Sequence, residues 1–349
     1  VTSPAAHRPR PLRRALLGLA LGLGLLLFGT PLLVLFSRRP PSYRLPDSDR
    51  PARFEDHRRA RLLRSQTEGA RPGNEERFVP ATRPDPPVAL VYVHGFVASR
   101  AEGEPVVVDL AQGFDLPAWF LRLPGHGTSP EDLEGRRFSE WIDEVDLTLR
   151  AARDLAPKLA VVATSMGAAL ATYLAAERPG LVDALVLVSP FFAFRDPVAD
   201  ILLPLPGGLA LAEAVVGETR RVPYDPDDPE DHRLPGFEAF WYTAYPLSAV
   251  AQLAQVSLLV NRDELLRRVE APSLLLYYPG DVAADVSAMR AAQARFPTTA
   301  LRRTVEVQDG DHVLLSRWVE ADRDRARAAV ADFLVAVFPE LRRPAPGGG

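Results

Sequence analysis

The sequence predicts an α/β fold: an open, mostly parallel sheet with helices on both faces, an inserted helical cap, and a single N-terminal transmembrane helix. Three observations predict it. Short apolar runs alternate with longer helical patterns from Pro87 onward, about eighty residues separate two of those runs, and residues 15–36 carry no charge.

Taken in order, the first element is a membrane anchor over 1–45. Ala15 to Phe36 reads ALLGLALGLGLLLFGTPLLVLF, and twenty-two helical residues at about 1.5 Å each span about 33 Å, close to the hydrocarbon thickness of a bilayer. Only Ser37-Arg38-Arg39-Pro40-Pro41 follows, with no small-x-small cleavage pattern, so the span is expected to be retained. Arg8, Arg10, Arg13 and Arg14 before it are matched by Arg38, Arg39, Arg44 and Arg50 after it. The flanking charges leave the side of the membrane open, with a lean towards an extracytoplasmic catalytic domain.

From 46 to 86 the composition turns to Pro, Arg, Asp and Glu, which reads as a stalk with one surface helix over Phe54–Gln66. Strands are expected at Val88–Val93, Ala118–Leu123, Leu159–Ala163, Ala184–Val188, Ser273–Tyr278 and Arg303–Val307. Helical patterns lie between most of them, which implies parallel strands and a site at their carboxyl ends. The core is expected over 87–190 and 269–340, the cap over 191–268, and a flexible tail over 341–349. Within the cap, Ile201–Val216 and Leu247–Val260 have apolar helical patterns. Phe191, Phe192, Phe194, Phe237, Phe240, Trp241, Tyr242 and Tyr245 supply an aromatic roof. About two thirds of those rings are expected to pack the cap onto the sheet rather than to meet a substrate.

Composition excludes several functions. The chain has no cysteine, so disulfides, thiolate metal sites and thiol nucleophiles are impossible. A net charge of -4 argues against nucleic acid as a partner, and the basic residues are almost all Arg, with Lys158 the only lysine, which reads as coding bias. The acidic run around His232, Tyr224 to His232, lacks the glycine of a calcium loop and reads as a solvated surface; no metal or organic cofactor is expected.

The chemistry concentrates at the strand ends. Ala163-Thr164-Ser165-Met166-Gly167 follows a strand and opens a helix, the arrangement that lifts a serine hydroxyl above a sheet. Such a hydroxyl needs a base within hydrogen-bond reach and donors for the developing oxyanion. Ala163 stands where a glycine is usual, and an N-capping serine would give the same local pattern. Val93-His94-Gly95-Phe96 after the first strong strand supplies one donor, the Phe96 N–H, and Met166 N–H the other. His94 and His126, in Leu123-Pro124-Gly125-His126-Gly127, are expected to be structural. Only His232 and His312 follow Ser165 among the six histidines. His312 stands just past the last strand in Gly310-Asp311-His312-Val313-Leu314 and is the expected general base. Asp281, after SLLLYY in Pro279-Gly280-Asp281, is the acid expected to orient it, with Asp285 in reserve.

With those residues in view, the sequence resembles the α/β-hydrolases, in particular the capped carboxylesterase and monoacylglycerol-lipase-like branch. The resemblance runs from about Val88 to Phe338 through His94–Phe96, Leu123–Gly127, Ala163–Gly167, Ala271–Asp281 and Asp311–Leu314. It implies a Ser165, Asp281, His312 triad, an oxyanion hole from the Phe96 and Met166 backbone, and no cofactor. The expected activity is hydrolysis of small hydrophobic carboxylic esters through an acyl-enzyme by a bilayer-anchored protein. An acyltransferase, a thioesterase or a peptidase would share the triad, and a non-catalytic binding protein would share the fold.

Overall fold

In the computed structural model, residues 29, 39–46, 53–222, 224–225, 227–228 and 231–342 are described. The expected membrane span, 15–36, lies outside them except for Gly29. Among the described residues no helix is long and apolar enough to cross a membrane.

The chain opens with α1 (Phe54–Thr67) and β1 (Arg77–Val79), followed by β2 (Val88–Val93), α2 (Glu104–Phe114), β3 (Ala118–Phe120) and α3 (Phe138–Ala152). Then come β4 (Lys158–Thr164), α4 (Ser165–Glu177) and β5 (Ala184–Val188). The insertion carries α5 (Pro197–Leu202), α6 (Gly208–Val216), β6 (Thr219–Arg221) and β7 (Ala244–Pro246). The core resumes with α7 (Leu247–Val260), α8 (Asp263–Leu266), β8 (Ser273–Tyr277), α9 (Val286–Ala294), β9 (Arg302–Glu306) and α10 (Arg323–Val337). Seven strands form one sheet in the order β1-β3-β2-β4-β5-β8-β9, in which β1 alone is antiparallel to its neighbour.

The central strands are continuous aliphatic runs because both faces are covered. Along β2, Ala89, Val91 and Val93 enter the core beneath α3, α4 and α7, while Val88, Leu90 and Tyr92 enter the one beneath α2 and α10. The two-residue period of a strand divides one run between two cores.

Four expectations need correction. The segment read as a stalk is partly body: Phe54 of α1 is buried with its ring edge-on to Trp119 at 5.5 Å, and β1 pairs with β3. Its charges are used internally, since Arg61 and Arg64 bind Glu144 at 2.6 and 2.7 Å and Arg64 also reaches Glu76 at 3.1 Å. The expected cap is too long at its end, because α7 packs Leu253, Val256 and Leu259 into the same core as α4. Within the cap, the helix expected over Ile201–Val216 is two helices, broken where Pro204, Pro206 and Gly207 stand between Leu202 and Gly208. Leu341, expected in the tail, is buried, and 343–349 lie outside the described residues.

Candidate active site

Four strand ends converge on a cavity of about 520 Å³ bordered by Phe96, Glu102, Ser165 and His312, with cap residues opposite. Ser165 is the first residue of α4 and has φ 53°, a left-handed conformation that L-residues seldom adopt. That strain, of order 1–3 kcal/mol, is held by the surrounding packing and is the expected mark of a sharp strand-to-helix turn. Gly167 permits the turn, since a Cβ there would run into the carbonyl oxygens of Val93 and His94. Ala163, by contrast, has room for its methyl, which is fully buried in the core beneath α4.

His312 Nδ1 bonds Asp281 Oδ2 at 2.7 Å, and Asp281 is itself fixed by the Ala283 and Ala284 N–H groups at 2.8 and 2.9 Å on Oδ1. This leaves His312 Nε2 for other partners. No hydrogen bond closes between the Ser165 hydroxyl and that ring among the described residues, although both border the cavity. Catalytic bonds in ligand-free enzymes commonly tighten only when substrate is bound. Burial alone would push the His312 pKa down, but Asp281, by charge and hydrogen bond, and then Glu102 and Asp311 override it and raise it to about 9. Asp285 does not reach the ring; it caps α9 by accepting from the Ala288 N–H at 2.9 Å.

Of the two expected backbone donors, one adjoins Ser165 in the chain and the other lies on the loop after β2. Met166 N–H belongs to the first turn of α4, where N–H groups have no partner within the helix. Phe96 borders the cavity on the loop after β2, and its neighbour Val97 has φ 56°. His94 holds that loop: Nε2 accepts from Leu123 N–H at 3.1 Å, so Nδ1 carries the proton to the Gly95 carbonyl at 2.8 Å. Burial pushes its pKa down to about 4, opposed by the Gly95 bond, and the ring is neutral. His126 is likewise buried and pushed well below its ordinary value, first by burial and then by His94. His232 does not border the cavity.

Glu102 escaped the sequence reading, and Tyr242 was read only as one ring of the roof. Glu102 lies eight residues beyond His94 with no motif around it, yet it is buried at the floor of the site. Burial pushes its carboxyl up to about 7, against the lowering effects of the Gly95 N–H, the His312 charge and the Tyr92 hydroxyl. Tyr242 ties the cap down: its N–H donates to the Val97 carbonyl at 2.9 Å, and its hydroxyl accepts from Thr128 N–H at 2.9 Å and donates to the Gly125 carbonyl at 3.2 Å. Six of the eight roof aromatics border the cavity, all but Phe192 and Phe240, so more of the roof faces the site than expected.

Comparison with known proteins agrees with this architecture. The profile of a family described as serine aminopeptidase, S33, matches residues 84–231. A thermostable monoacylglycerol lipase of Bacillus sp. (strain H-257) is 27% identical over 189 residues, covering 54% of this chain and 68% of the relative. Both likenesses are to enzymes of the α/β-hydrolase kind, and the matched stretch holds the Ser165 turn. Solved structures share the fold, an α/β-hydrolase fold. One, from work on the metagenome-derived lipolytic enzymes LipS and LipT, superposes with TM-score 0.55 at 19% identity, over 76% of this chain and 99% of that one. A monoacylglycerol lipase of Paleococcus ferrophilus gives 0.54 at 17%, over 75% and 98%.

Proposed function

We propose that the protein is a serine hydrolase that cleaves carboxylic esters of hydrophobic acyl groups, monoacylglycerol-type esters among them, through an acyl-enzyme on Ser165. The observation that carries this reading is the Asp281–His312 pair, in which Asp281 takes Nδ1 and the ring borders the same cavity as Ser165. Ser165 Oγ attacks the ester carbonyl as its proton passes to His312 Nε2, and the Phe96 and Met166 N–H groups receive the oxyanion. His312 then gives the proton to the departing alcohol. Water repeats the sequence on the acyl-enzyme, releasing the acid and restoring the serine. Asp281 keeps the ring in the required tautomer and stabilises the imidazolium without taking the proton.

The lining supports an amphipathic substrate. Phe96, Phe194, Tyr245, Val250 and Leu253 suit an acyl chain, whereas Arg220, Asp225 and Asp228 at the cap side suit a hydroxylated alcohol. The uncharged run 15–36 supports retention at a membrane; we propose that the catalytic domain lies outside the cytoplasm, the side towards which the sequence leans.

One experiment tests both parts: p-nitrophenyl butyrate turnover by carbonate-washed membranes from cells expressing the full chain, beside Ser165→Ala. Activity is expected to stay with the membranes, to be clipped off intact cells by external protease, and to fall on the order of 10⁶-fold in the variant. Equal turnover by a folded Ser165→Ala protein would remove the nucleophile, and activity in the soluble fraction would remove the anchor. Amide cleavage at a peptide N-terminus is the second reading, favoured by the acidic Asp225, Asp228 and Asp231 at the cavity; a higher kcat/KM on alanine p-nitroanilide than on the ester would install it.

A further inference from the structure

Glu102 ends the short 3-10 helix Arg100–Glu102 and is 2% exposed. Both of its hydrogen bonds fall on one oxygen. Oε2 accepts from the Gly95 N–H at 2.6 Å and from the Tyr92 hydroxyl at 3.0 Å, and that hydroxyl meets Thr164 Oγ1 at 2.9 Å. A Cβ built on Gly95 would stand 3.0 Å from both Glu102 Oε1 and Ser165 Cβ, so carboxylate and serine lie within about 6 Å of each other.

The relay Gly95, Glu102, Tyr92, Thr164 therefore joins two backbone segments that are far apart in sequence. Gly95 precedes the Phe96 donor, and Thr164 precedes Ser165 and the Met166 donor. Each segment also holds a residue in the left-handed region, Val97 at φ 56° and Ser165 at φ 53°. For β-branched Val97 that conformation persists only where the surroundings impose it. Tyr242 pins Val97 from the cap side, and Glu102 is the only carboxylate bound to the loop on the sheet side among the described residues.

We propose that Glu102 is a positioning residue, which sets the spacing of the two oxyanion donors by clamping the Gly95–Phe96 loop to the Thr164–Ser165 turn with Tyr92 as its bridge. This rests on Ser165 being the nucleophile. The clamp needs an acceptor, not a charge. A glutamine carbonyl can take both bonds that Oε2 takes, whereas alanine takes neither and leaves a buried N–H and a buried hydroxyl without their acceptor.

The test measures kcat and KM on p-nitrophenyl butyrate for the full chain and for Glu102→Gln, Glu102→Ala, Tyr92→Phe and Ser165→Ala, with a melting curve for each. Glu102→Ala is expected to lower kcat about 10- to 100-fold with KM within about twofold, the signature of lost transition-state alignment. Glu102→Gln should restore most of that loss, and Tyr92→Phe should fall between them. A folded Glu102→Ala protein with undiminished kcat would overturn the clamp. So would equal losses in the Gln and Ala variants, which assign the effect to charge, or a raised KM at constant kcat, which makes Glu102 a substrate contact. If Glu102→Ala does not fold, an unchanged kcat in Tyr92→Phe overturns it instead. Full turnover by Ser165→Ala would withdraw the nucleophile and leave the reading of the site, rather than the clamp, at fault.

Discussion

The cavity has a sheet side and a cap side, and the two are built differently. On the sheet side Ser165, Asp281 and Glu102 are buried, and each is fixed by its turn or by several short bonds. On the cap side Val198, Leu211, Val215 and Val216 face solvent. The hold there is spread over single bonds between loops, among them Tyr242 N–H to the Val97 carbonyl at 2.9 Å, Leu234 N–H to the Trp318 carbonyl at 2.9 Å and Arg195 N–H to the Ala283 carbonyl at 3.1 Å. The difference separates two tasks. Bond-making geometry tolerates little error and is carried by strand ends, while the recognition of a variable acyl or alcohol group falls to a less constrained roof.

A direct way to break this comparison is to ask which side supplies the base. His312→Ala should lose on the order of 10⁴-fold or more in kcat, while His232→Ala, a change on the cap side, should keep most of it. The reverse result would move the base to the cap.

The pH dependence sharpens the same contrast. The base works only when neutral, and His312 is raised to about 9 against burial by Asp281, Glu102 and Asp311. kcat/KM should therefore climb through neutral pH, reach half its maximum near pH 9 and level off above that. The same shift has a sign for stability: a histidine raised above its ordinary 6.5 contributes fully below that pH, and the contribution fades as pH rises through about 9. A rate profile with its acid limb near pH 6 would show that the carboxylates do not act on the ring as their positions imply.

The smallest expected effect lies on the roof. Val215→Ser, at an exposed position of α6, should change stability by no more than about 0.5 kcal/mol in a denaturant melt. A loss of about 2 kcal/mol would mean that the roof is packed against something that solvent exposure does not reveal.

Much of this was legible in the chain. Runs such as Val88–Val93 are apolar on both faces, and a strand covered twice cannot look otherwise, so the central strands matched closely. The strand-turn-helix around Ser165 is local, set by small neighbours, and local patterns survive in sequence. The segment before Pro87 was harder. Its arginines and glutamates look solvated, yet Glu76 is 3% exposed, and Arg61 and Arg64 bind the buried Glu144 at 2.6 and 2.7 Å, pairings that composition cannot reveal because the partners are far apart in sequence. Glu102 was invisible for the same reason: its importance comes from two contacts, Gly95 and Tyr92, that only the folded chain supplies. The break in the cap helix is a different case, since Pro204, Pro206 and Gly207 announce it and the apolar pattern masked the signal.

The two small residues flanking Ser165 have unequal futures under mutation. At 163 the methyl group already fills its space, and trimming it to hydrogen asks little of the surroundings. At 167 the carbonyls of Val93 and His94 leave no volume for even one carbon. A saturation library selected for turnover should recover glycine alone at the second position, while the first drifts between the two smallest amino acids.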